Sequence, residues 1–202
     1  MFYEPKKGSP FKIDPFKSII FPRPIGWISS ISKDGIANLA PYSYFNAVAD
    51  EPPQIMFCSS GSSPHGKYKD SLSNILSTKE FVVNFVTSQL SHAMNLSSGV
   101  YKPSEDEFAI ANIKKRKSKL IKSPSVKDSP VNLECKLLKV LKLKTNSKKV
   151  STMVIGEVIG IYINNKFIKN KRINSLDMKY IARMGYSEYT TVKTKFNLKP
   201  PK

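Results

Sequence analysis

The chain has 202 residues, a formal net charge of +18, two cysteines and two histidines. That length suits a single domain that buries roughly 70% of its unfolded surface and needs no disulfide staples. Cys58 and Cys135 are distant and form no C-x-x-C, which argues against a disulfide framework or cysteine-rich metal site and fits free thiols in a reducing cytoplasm.

Residues 1–18 are charged and proline-punctuated, unlike a signal peptide. The longest apolar run, 153–163, is interrupted by Glu157 and too short to cross a bilayer, so a soluble cytoplasmic protein with no membrane partner is expected. The positive charge invites a nucleic-acid reading. However, only Arg23, Arg116, Arg172 and Arg183 are arginines, and a lysine coat is a solvated surface more often than a base reader. Nucleic acid is therefore the disfavoured partner.

Along the chain, 25–31 is apolar and β-branched, and Asp34-Gly35 gives a hairpin signal with 36–43 as the returning strand. Glu51-Pro52-Pro53 breaks the chain, and 54–59 reads as a buried strand beginning after the prolines. The spacing predicts a helix over 67–78, a strand over 81–86 and a short helix over 88–98 with Ser88 as N-cap. Residues 105–113 read as a helix, followed by a lysine-rich loop to 129. Val131, Leu133, Cys135 and Leu137 alternate as a half-buried strand. A turn over 145–149 leads into a long strand over 150–164, in which Gly156 and Gly160 mark a bulge or a close backbone approach. Many strands with few short helices predict a mainly β fold, an antiparallel barrel with added helices.

Common catalytic signatures are missing. The sequence has no G-x-G-x-x-G, no P-loop, no H-E-x-x-H and no G-x-S-x-G, and no residue stands out as an acid or base. Polar groups instead gather in three segments beside strand ends: 21–30, 38–46, and 58–61 running into 67–75. Each alone reads as ordinary turns.

Taken together, R-P-I-G-W-I-S-x-I-S-x-D-G-x-x-N-L-A-P-Y-S-x-F-N-A-V, P-P-x-x-M-F, K-D-S-x-x-N-I and E-F-V-V-N resemble the flavin reductase-like, FMN-binding split-barrel family. The likeness is close over 21–86. It continues through Leu133-Glu134-Cys135 and Gly156-Glu157-Val158 to Ala182-Arg183-Met184-Gly185-Tyr186, and is thin over 97–129.

The resemblance implies a single-domain Greek-key split barrel binding FMN non-covalently at a homodimer interface. It also implies oxidoreductase activity, with electrons arriving from NAD(P)H or a redox partner. A flavin-keeping oxygenase, or a non-catalytic flavin, haem or nucleic-acid binder, stands as the alternative. Trp27, Tyr42 and Phe45 are candidates to wall the ring or simply to pack the core. Ser29, Ser43 and Asn46 are candidates for the ring and ribityl chain. Ser59, Ser60, Lys67 and Ser71 are candidates for the phosphate, and Asp70 either joins them or caps the helix. Where the family usually carries Lys-Asp-Thr, this chain has Lys69-Asp70-Ser71, which keeps the hydroxyl. Arg23 and Arg183 complete the cofactor set, the latter on a C-terminal arm, 178–189, packing near a flavin of its own or the partner's subunit.

Overall fold

Seven antiparallel strands carry the fold: β1 (Gly26–Ile31), β2 (Ala37–Tyr42), β3 (Phe45–Asp50), β4 (Pro53–Ser60), β5 (Glu80–Phe85), β6 (Val131–Lys142) and β7 (Ser151–Ile163). In the computed structural model, which describes residues 1–145 and 150–201, they form one sheet in the order β2-β1-β5-β6-β7-β4-β3. The sheet curls until its β2 end approaches β4. The Tyr42 ring at the end of β2 lies 4.8 Å from the Phe57 ring of β4. The result is the split barrel expected from the sequence.

Period-two patterning decides what fills it. Along β7, Thr152, Val154, Gly156 and Val158 are buried and alternate with half-buried neighbours. Val154 and Val158 meet Ile28, Phe57, Phe81 and Val83 inside the barrel. One end is plugged by α1 (Asp70–Thr78), whose Leu72 and Ile75 are fully buried. Gly156 lies at a register shift, and a Cβ there would stand 2.5 Å from the Phe81 ring, so the glycine provides the close approach that the barrel interior requires.

A second core covers the barrel's outer face. Trp27, Leu39, Val86, Met94, Phe108 and Ile181 pack together beneath α2 (Ser91–Leu96) and the long loop that follows. Carboxylates hold that loop down. Glu80 accepts from Lys122 N and Ser123 N at 2.6 and 3.2 Å, and Glu134 accepts from Lys119 N and Leu120 N at 2.8 and 2.7 Å. Asn84 Oδ1 accepts from Val126 N at 2.8 Å.

Local chemistry moves several expected elements. The helix over 67–78 starts only at Asp70. The helix over 88–98 is a 3₁₀ turn, Ser88–Leu90, before α2, and Thr87 rather than Ser88 precedes it without a side-chain cap. The helix over 105–113 shrinks to Glu107–Ile110, capped by Asp106 Oδ1 at 2.9 Å from Phe108 N. β4 includes Pro53, admitted as the strand's first residue. β3 was not anticipated; its alternation is hidden because all its residues after Phe45 are exposed. The turn over 145–149 lies, apart from Thr145, outside the described residues. Both cysteines are free and buried. Among the described residues no helix is long and apolar enough to cross a membrane.

Gly156→Ala is expected to lower unfolding stability by about 1–3 kcal/mol, because the added methyl meets an aromatic ring packed on all sides. Urea denaturation measures it, and a loss near zero would show that Phe81 yields freely.

Candidate functional site

β2 ends the sheet, so its outer edge has no strand partner, and Pro41 sits there without an N–H to offer. A two-lobed cleft opens beside that edge. The smaller lobe has about 240 Å³ and is lined by Asn38, Asp70, Ser71 and Glu107 among others. The larger has about 470 Å³ and reaches Arg23, Ser43, Ser60 and Arg183. Pro41, Tyr42, Lys69 and Ser98 belong to both lobes, so they form one continuous groove. Together the lobes suit a ligand of cofactor size.

The smaller lobe is built around the start of α1. Lys69 is its N-cap, with extended backbone and no side-chain cap, so the first-turn N–H groups have no capping acceptor. Ser71 Oγ donates to Asn38 Oδ1 at 2.6 Å, and Asn38 Nδ2 donates to Glu107 Oε1 at 2.7 Å. Glu107 Oε2 also accepts from Leu39 N at 2.9 Å. This chain of bonds fixes the edge strand to the helix start.

Tyr42 is buried beside the Ser59 and Ser71 hydroxyls, yet its phenol and Ser59 Oγ make no hydrogen bond of proper geometry. Buried polar atoms without partners are rare in folded proteins, and two beside a groove mark where a ligand's acceptors belong. Burial pushes the Tyr42 phenol up against the opposing pull of Ser71 and Ser59, which keeps it a donor. Burial also raises the Asp70 carboxyl, with His65 pulling it back.

The larger lobe is walled by both ends of the chain. Residues Ile181–Arg183 pair with Arg23–Pro24 and with Tyr189–Thr191, so segment 178–189 carries one short strand and the start of another. Arg23 binds the segments together: its Nη1 donates to Ile20 O at 2.5 Å and to Lys17 O, and its Nη2 donates to Met184 O at 2.7 Å. Arg183 donates to Tyr186 O and lies over the Tyr189 ring, 4.5 Å from its centroid.

Of the residues singled out from the sequence, the structure brings Arg23, Ser43, Ser60, Asp70, Ser71 and Arg183 to the groove, with Ser59 buried behind it. The others sit elsewhere. Trp27 is fully buried, donating from Nε1 to Ser97 Oγ at 2.9 Å, and Phe45 packs in the barrel core. Ser29 Oγ donates to Pro124 O. Asn46 is exposed on β3, accepting from Ala47 N. Lys67 lies over the Tyr68 ring, on neither lobe's lining. Lys69, which lines both lobes, was passed over although it directly precedes the helix start. Glu107 was missed because only the folded loop brings it to Asn38.

Comparison with known proteins gives a consistent picture. The model of the flavin reductase like domain matches residues 18–178. An uncharacterised protein of Aquifex aeolicus is 37% identical over 85% of each chain. Nitrilotriacetate monooxygenase component B from Bacillus cereus superposes with a TM-score of 0.87, at 29% identity over 98% of each chain. A split barrel domain protein from Shewanella frigidimarina, 20% identical, shares the fold at a TM-score of 0.77 over 89% of this chain and 86% of its own.

Glu107 generates a pH prediction. Burial raises its carboxyl from 4.5 to about 7, against the pull of Leu39 N and the Asn38 amide. In that window the folded chain holds a proton that the unfolded chain has released, so stability falls as pH rises. Comparing urea midpoints of the wild type and Glu107→Gln between about pH 5 and about pH 8 should show a steeper fall in the wild type. Parallel curves would mean that Glu107 ionises normally.

Proposed function

The chain belongs to the flavin reductase like domain family, and from that premise we propose that it binds FMN in the two-lobed groove and acts as a flavin reductase-type oxidoreductase fed by NAD(P)H or a protein donor. The observation that carries this reading is the ligand-ready start of α1: uncapped N–H groups with Lys69 and Ser71 beside the partnerless hydroxyls of Tyr42 and Ser59. A helix N-terminus with a cation and a hydroxyl suits a phosphate.

The remaining residues fit the same group. Pro41 and Tyr42 give the groove a flat apolar wall, and Ser43, Ser60 and Ser98 supply hydroxyls along the larger lobe. When bound, the flavin supplies the electron chemistry at its ring; the chain binds, orients and shields it. Cys58 lines the larger lobe, but burial pushes its thiol up, so it stays protonated and unreactive. The name of the Bacillus cereus relative, a monooxygenase component, favours delivery of electrons to a second protein over an oxygenase that completes the reaction itself.

The protein also reads as a homodimer. β3 is an edge strand whose residues after Phe45 are all exposed, and Phe11, Ile13, Phe16, Ile19 and Phe21 present apolar side chains to solvent on the N-terminal segment. A two-fold partner covers such surface. Sedimentation equilibrium should return twice the 22.7 kDa chain mass; a monomer at all concentrations would refute the assembly.

The functional test is a titration. FMN should bind one per chain, and adding NADH or NADPH under anaerobic conditions should bleach the visible flavin band. Lys69→Ala should weaken FMN affinity about tenfold, through loss of a charge-assisted contact, whereas Lys67→Ala should change it less than about twofold. A folded protein that takes up no FMN would end this reading. Bleaching only by a reduced protein, and not by nicotinamides, would assign the donor to the partner class.

A further inference from the structure

The larger lobe holds positive charge that a flavin phosphate at α1 leaves unbalanced. Lys17, Arg23 and Arg183 line it, and none of them is ion-paired among the described residues. Asp14 is the single carboxylate on the lining, and its Oδ1 already accepts from Phe16 N at 2.9 Å. Lys69 is set aside here because it also borders the phosphate end.

Arg23 is the most telling of the three. It is 7% exposed, its Nη groups meet only the neutral carbonyls of Lys17, Ile20 and Met184, and its Nε is buried with no partner. Carbonyl oxygens fix a guanidinium in place but cannot cancel its charge. A buried charge lacking a counter-ion is costly unless an anion arrives nearby. Arg183 is half-buried, and its stacking on Tyr189 and its bond to Tyr186 O hold it in the cleft wall. A planar cation held this way matches the geometry of a carboxylate or phosphoryl group.

We infer that the larger lobe selects, as the flavin's small-molecule redox partner, a compound bearing an anionic carboxylate or phosphoryl group that docks on Arg183 within the field of Arg23. The inference rests on the flavin reading above. It adds the substrate class: neutral compounds of equal size are discriminated against. Arg23 sets the field and the wall, and Arg183 makes the contact.

The test uses FMN-loaded protein titrated with benzoate, phenyl phosphate and benzamide, which share a ring and differ in the head group. Binding is followed by the flavin difference spectrum. At least one of the anions should bind about tenfold or more tightly than benzamide, and added salt should weaken the anions alone. Arg183→Gln should bring the three within about twofold of one another, and Arg183→Lys should keep part of the preference. Benzoate ahead of phenyl phosphate assigns a carboxylate source; the reverse assigns a phosphoryl source. Equal binding of all three, no binding of any, or an undiminished preference in Arg183→Gln overturns the inference. A protein showing no flavin uptake would count against the flavin reading instead. The same three compounds are then compared by thermal unfolding of the flavin-free protein, where the anion preference and its loss in Arg183→Gln remain the expected result.

Discussion

The loop between Glu107 and Ser129 has almost no regular structure, and its backbone donors must still be satisfied where they are buried. Side chains from the barrel wall do this. Glu80, Asn84 and Glu134 project from β5 and β6 and accept five backbone N–H groups from the loop. The four to Glu80 and Glu134 are charge-assisted, among the stronger bonds available to a protein. Without them the second core beneath the loop would lose its cover, and Trp27 and Phe108 would meet water. The same docking carries Glu107 to Asn38, and so reaches the groove.

That connection explains how the site is kept rigid. Asn38 is bonded on one side to Ser71 at the start of α1 and on the other to Glu107 from the loop. Three separate stretches of chain therefore agree on the position of one edge-strand residue. The opposite wall uses the same logic with a cation: Arg23 gathers carbonyls from both termini. A carboxylate thus organises one half of the groove and a guanidinium the other.

The barrel strands were legible because their evidence is local. Alternation in β6, the Asp-Gly turn before β2 and the glycines of β7 each report their own geometry. β3 was not, since an edge strand with both faces largely in water loses the alternation that burial imposes. The site divided along the same line. Ser71 and Asp70 could be found from the helix start that they occupy, whereas Trp27 and Phe45 showed only that they were aromatic beside a motif, and packing took them inward. Glu107 had no sequence signal, because its role exists only after a loop with no period of its own has been folded onto the sheet.

Pro41 has a further consequence. An exposed strand edge is a template on which any extended peptide can lay down, and the groove runs along one. With no N–H at Pro41, the fifth of its six residues, β2 cannot offer an unbroken ladder, so the groove is shielded from stray polypeptide. β3, at the other end of the sheet, has no proline within Phe45–Asp50. A sheet sealed at one margin and open at the other can be lengthened only once, by pairing like margin with like. Growth of such a sheet would stop there, whereas two open margins would permit a fibre.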